Sequence, residues 1–110
     1  MGKTLTLHRC GTHEIAFEIK NYTNGNLEVV VVEAKGDCYE FWSFLTTDLG
    51  YKCKPNCAFI ATNINPSYFI EWLIENGLGN LTGRIEKIGW CYFPEFEFNI
   101  EKLREYTMEE

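Results

Sequence analysis

The 110-residue chain predicts an α+β domain: an antiparallel sheet of five or six strands, run as a meander, with one main α-helix packed on it. Three observations carry this. The first half alternates polar and apolar residues between closely spaced turn signals. One stretch alone, around residues 65–77, carries both a helix start and a helix stop. Residues 90–99 then return to alternation. The length suits a single domain, 1–110.

Leu5 and Leu7 alternate with threonines and His8, a short first strand that turns at Cys10-Gly11-Thr12. From His13 to Tyr22, Ile15, Phe17 and Ile19 share one face, and Glu14, Ala16, Glu18 and Lys20 the other. A period of two with one polar face is a half-buried strand. Asn24-Gly25 is a hairpin signal. The β-branched run Val29–Val32 predicts a central strand covered on both sides. After Lys35-Gly36-Asp37, residues 38–47 read as an aromatic fourth strand, with Tyr39, Phe41 and Leu45 opposite Trp42 and Phe44. A helix is the alternative there.

Asp48 to Cys57 is a loop, and residues 58–62 a short buried strand. Asn65-Pro66 opens the helix: Asn suits an N-cap and Pro the first helical position. Gly77 is the natural residue past its end, with Leu78 as the apolar contact. Ser67, Glu71 and Glu75 form one narrow polar stripe, so this helix needs cover on more than one side. Residues 79–83 read as a glycine-rich connection. In the last strand Trp90, Tyr92, Phe96 and Phe98 face away from Cys91, Phe93, Glu95 and Glu97, and Pro94 suggests an edge. Ile100–Tyr106 is a second, short helix, and residues 107–110 an acidic frayed end.

Composition excludes disorder, at 45% hydrophobic and 15% aromatic. No apolar run approaches the roughly 18 residues of a membrane span. An odd number of cysteines, five, without an apolar leader points to free thiols and a cytoplasmic setting. Gly2 meets a loose myristoylation pattern only by chance. The net charge is −6, and residues 14–48 hold seven acids against Lys20 and Lys35. The ten basic residues are scattered, which disfavours direct nucleic-acid binding.

Cys53 and Cys57 flank Lys54-Pro55-Asn56. One such pair is half a zinc site; its only companion would be His8 with Cys10, so no metal is expected. A redox switch is disfavoured by the CxxxC spacing, although Lys52 and Lys54 would lower a thiolate pKa. A Cys–His enzyme would need Cys38 or Cys91 beside His8 or His13. Glu71 and Glu75 read as a solvated stripe. Gly77-x-Gly79 with Gly83 follows a helix, the wrong order for a phosphate loop. The motifs Asn21-Tyr22-Thr23 and Asn80-Leu81-Thr82 match a glycosylation acceptor by chance. Core packing accounts for most of Phe17, Phe41, Phe44, Phe59, Phe69, Trp72 and Trp90.

The stretches AFIATNINP, EWLIENGLGNLTGR and GWCYFPEFEF, over roughly residues 58–98, resemble a family of small uncharacterised proteins carried on conjugative elements and phages of gut Firmicutes. The matching positions are Thr62-Asn63, residues 75–79, 82–84 and 89–94. This chain departs from that pattern at Asn63-Ile64-Asn65 and at Ile88. No catalytic residue or cofactor carries over. The resemblance implies a counter-defence protein that binds an effector.

The expected function is therefore a non-enzymatic acidic binding protein. Its specific form is an inhibitor of a host nuclease system, anti-CRISPR or anti-restriction, that occludes a basic surface. Its expected partner-binding residues are Glu14, Glu18, Glu28, Glu33, Asp37, Glu40, Glu95, Glu97, Glu101 and Glu105. A structural or regulatory homodimer, joined through the apolar helix or the Pro94 edge, is the alternative. A cryptic cysteine-dependent enzyme is the second.

Overall fold

The computed structural model describes residues 3–9 and 11–107. Readings that involve Gly2, Cys10 or residues 108–110 lie outside them. The architecture corrects the expected single sheet and main helix. Among the described residues the structure is mostly β, in two four-stranded antiparallel sheets, with two short helices.

The first sheet is the expected meander. β1 (Leu5–His8), β2 (Thr12–Asn21), β3 (Leu27–Lys35) and β4 (Cys38–Phe44) lie in sequence order. The second has the order β5-β6-β8-β7, from β5 (Thr46–Thr47), β6 (Cys57–Ile60), β7 (Gly79–Ile88) and β8 (Cys91–Phe98). The residues 79–83 expected as a connection are the first half of β7. Helix α1 spans Tyr68–Glu75 and α2 spans Ile100–Arg104.

One residue joins the sheets. Leu45 donates its N–H to the Val29 carbonyl of β3 at 3.0 Å, and its own carbonyl accepts from Ala61, just past β6, at 2.9 Å. A strand that bends at a corner and passes between sheets keeps its backbone satisfied in this way. Just before the corner, the β3–β4 register shifts between Val31 and Val32. The bulge puts one extra residue in β4 and reverses the faces beyond it. Phe41 and Phe44 therefore share a side, opposite Val32 and Val30. Simple alternation had separated them. Trp42 turns inward, where its ring meets His13 edge-on at 4.7 Å.

A single core lies between the sheets. Ile15, Phe17, Val29 and Val31 come from one, Ala58, Ile60, Phe96 and Phe98 from the other, with Phe69 and Leu73 of α1 and Leu103 of α2 added. The C-terminal segment packs onto the first sheet: Phe17 donates its N–H to the Tyr106 carbonyl at 2.8 Å, and Thr107 bridges Phe17 in parallel.

Pro94 lies in β8, an inner strand, not at an edge. Two facts make it tolerable there. Ile88 and Cys91 close the β7–β8 hairpin around a two-residue turn. Hydrogen-bonded and open pairs alternate from that closure, so Ile85 and Pro94 form an open pair that needs no Pro N–H. On the other side, β6 pairs with β8 only from Glu95 onward.

The stop of α1 matches its sequence signal. Leu78 donates to the Leu73 carbonyl and Gly77 to the Ile74 carbonyl, both at 3.0 Å, and Leu78 is buried. This is the double bond pattern of a Schellman cap. The start does not match. Ser67 holds the N-cap position and makes no side-chain cap bond. Asn65 instead stitches the corner. Its Nδ2 donates to the carbonyls of Phe44 (2.8 Å) and Ala61 (2.9 Å), and its Oδ1 accepts from Ser43 Oγ at 2.7 Å. Asn65→Ala should cost about 2–3 kcal/mol, because those bonds go and buried carbonyls are left behind. Urea denaturation should show a lower midpoint with an unchanged slope; an unchanged midpoint would count against the stitch.

Candidate functional site

The outer face of the first sheet is the surface with most chemistry. Its columns follow from the register. β2 contributes Glu14, Ala16, Glu18 and Lys20; β3 contributes Glu28, Val30, Val32 and Ala34; β4 contributes Tyr39, Phe41 and Phe44. Ala16, Val30 and Val32 are buried, with Tyr39 packed against them. Phe41 and Phe44 stand over this floor, 60% and 48% exposed, with ring centroids 5.1 Å apart. An aromatic column on β4 and a carboxylate column on β2 are thus held two strand spacings apart, roughly 10 Å. Core packing does not account for Phe41 and Phe44, nor for Trp90, which is 95% exposed.

The ten acids expected to bind a partner lie on several surfaces. Glu14, Glu18 and Glu28 lie on the outer face. Glu14 accepts from Thr4 and Thr6, and Glu18 pairs with Lys20 at 3.1 Å. Glu33 turns to the other side and meets His13 at 2.8 Å and Lys35 at 3.8 Å. Glu40 is opposite Glu33 across the β3–β4 pair, and Asp37 sits in the turn. Glu95 is buried, accepts from Thr82 Oγ1 at 2.8 Å and lies 3.6 Å from Arg84. Glu97 is on the other sheet, opposite Cys57. Glu101 belongs to α2. Glu105 pairs with Lys3 at 3.1 Å, and the hydrogen bond from Lys3 holds its carboxyl below the usual range. Strand parity turns Glu33 away from Glu28, five positions before it in β3, and the C-terminal acids belong to β8 and the segment of α2.

Cys57 begins β6 and is buried; burial, then Glu95 and Glu97, pushes its thiol up to about 11. Burial, then Glu95, also raises Cys53. The expected lowering by lysines is reversed, because desolvation of the thiolate outweighs nearby exposed ammonium groups. Cys38 is exposed at the β3–β4 turn and donates to the Lys35 carbonyl at 3.4 Å. His13 is held by Glu33 and Trp42, and His8 lies 3.5 Å from Thr12 Oγ1. Among the described residues no three His, Cys, Asp or Glu side chains are grouped to hold a metal. No helix among them is long and apolar enough to cross a membrane.

A second feature escaped the sequence reading. Beyond the end of β6, the β7–β8 hairpin continues as a two-stranded arm. Its tip is Gly89-Trp90, with a positive φ of 61° at Gly89, as tight hairpin turns require. Ile85 (59%), Tyr92 (58%) and Trp90 are exposed along it, and Lys87 lies over both aromatic rings. The available signal was Ile-Gly-Trp-Cys between two alternating stretches.

Nothing among curated proteins and nothing among solved structures matches the chain. A family model described as a domain of unknown function (DUF4313) matches residues 16–110, from β2 through both sheets, well beyond the motifs of residues 58–98. The chain belongs to the DUF4313 family.

Proposed function

We propose that this is a non-enzymatic binding protein that docks a protein partner on the outer face of its first sheet. One observation carries the reading: solvent-exposed Phe41 and Phe44 sit on a buried valine floor beside Glu14, Glu18 and Glu28. Exposed aromatics over a rigid floor provide anchors, and flanking carboxylates select a basic surface and speed its approach. The complementary partner has a basic rim and an apolar centre. Its specific form, taken from the mobile-element resemblance, is the nucleic-acid channel of a host CRISPR or restriction nuclease, which would make the protein a counter-defence inhibitor.

The test is binding to a defined panel of such effectors. Reversing Glu14, Glu18 and Glu28 to Lys together should weaken binding by about 10- to 100-fold and flatten its salt dependence. Phe41→Ala with Phe44→Ala should act mainly on dissociation. Affinity indifferent to both sets would sink the reading.

A homodimer is the second reading, favoured by the arm rather than by α1 or Pro94. β7 is an edge strand, and the exposed Ile85, Trp90 and Tyr92 lie along the arm it forms with β8. Light scattering across a concentration series separates the two: a strict monomer removes the dimer.

A further inference from the structure

The loop that holds Cys53 forms one wall of a cavity of 380 Å³. The remaining walls come from the end of β2, the β2–β3 turn and α2. Three cationic residues line it: Lys52 and Lys54 from the loop and Arg104 from α2. Such convergence is unexpected in a chain of net charge −6. Elsewhere the basic side chains are largely spoken for. Lys3, Lys20, Lys35, Arg84 and Lys102 each pair with a carboxylate. Lys54 and Arg104 form no ion pair among the described residues, and Lys52 donates to the Asn24 carbonyl at 3.3 Å.

The wall is built in advance. Asn26, 6% exposed, donates to the Tyr51 carbonyl at 2.7 Å and accepts from the Cys53 N–H at 3.1 Å. Asn24 Nδ2 holds the same loop through Asp48 at 3.1 Å. The backbone that carries the lysines is thereby tied to the β2–β3 turn, which lowers the ordering cost of binding. Ile19, Leu27 and Ile100 supply an apolar side to the cavity.

We propose that this cavity binds a small organic phosphate, with the phosphate among Lys52, Lys54 and Arg104 and an apolar body against Ile19, Leu27 and Ile100. Three cations suit a phosphomonoester, whose charge is about −1.5 to −2, better than a single carboxylate. The volume lies at the lower end of ligand pockets, which begin at about 300 Å³, and so favours a mononucleotide-sized molecule. This site is separate from the outer face of the first sheet, and neither depends on the other.

Calorimetric titration with AMP, adenosine and inorganic phosphate tests it, with amide shift mapping to locate the contact. AMP should bind saturably, at least about tenfold tighter than adenosine or inorganic phosphate, and shift residues 52–56 and α2. K54M and R104M, on separate elements and both exposed, should each weaken AMP by about tenfold while circular dichroism stays unchanged. Absence of saturable AMP binding would overturn the proposal. So would equal affinity for adenosine, phosphate bound as tightly as AMP, or an affinity untouched by both substitutions.

Discussion

Gly79→Ala should destabilise the protein by about 4 kcal/mol or more, among the largest effects a single methyl group can have. Gly79 opens β7 opposite Phe98 of β8, with a φ of 151° that side chains rarely adopt. A Cβ there would collide with the main-chain carbonyl of Glu97, come within 2.5 Å of the Phe96 ring and 3.0 Å of Phe98 Cα. No rotamer relieves a clash with the neighbouring strand's backbone. β7 must part from β8 at the point where both meet the core. Guanidinium denaturation of the purified variant reads this directly. Adding Phe96→Leu should bring no rescue, since the first obstacle is backbone; a recovered midpoint in the double variant would refute the account.

Phe96→Ala should cost about 3–5 kcal/mol. Phe96 is fully buried, pairs with Ala58 on one side and Leu81 on the other, and its ring meets Phe98 at 4.8 Å. Its removal leaves a void at the centre of the second sheet and loses an aromatic pair. Domains of this size are stable by only about 5–15 kcal/mol. The melting temperature should therefore fall by about 15 °C or more. A fall of a few degrees would mean that the sheets can close over the void.

Local pattern revealed much of the chain. The first three strands, the aromatic strand, the short buried strand, the cap at Gly77 and both helices stand near where the residues predicted them. Each rests on a nearest-neighbour property: alternation, a turn residue or a cap. The errors share another origin. Asn65 had the chemistry of a helix cap, yet its amide is taken by Phe44, Ala61 and Ser43. Pro94 had the chemistry of an edge, yet lies inside a sheet, in an open pair with Ile85 and past the end of β6. In both, a partner distant in sequence supplies or removes the need that local preference describes.

The candidate binding face divides the same way. Glu14, Glu18 and the valines of β3 were legible as strand residues of alternating face. That Phe41 joins Phe44 on that face was not, because the bulge after Val31 restarts the alternation. The three cations of the cavity were visible only as scattered charges, since loop and α2 are about fifty residues apart in a chain whose segments meet only on folding.

The amino-acid order by itself determined most strand-forming stretches, though not β7, the position of the helices and the excess of acid over base. These follow from side-chain period and backbone preference, which act over a few residues. Only the tertiary structure decided that the strands divide into two sheets at Leu45, that acids expected to act together face different ways, and that three lysine and arginine side chains gather at one cavity. Such outcomes depend on which backbone groups find partners across the core, and those partners are chosen by the whole chain at once.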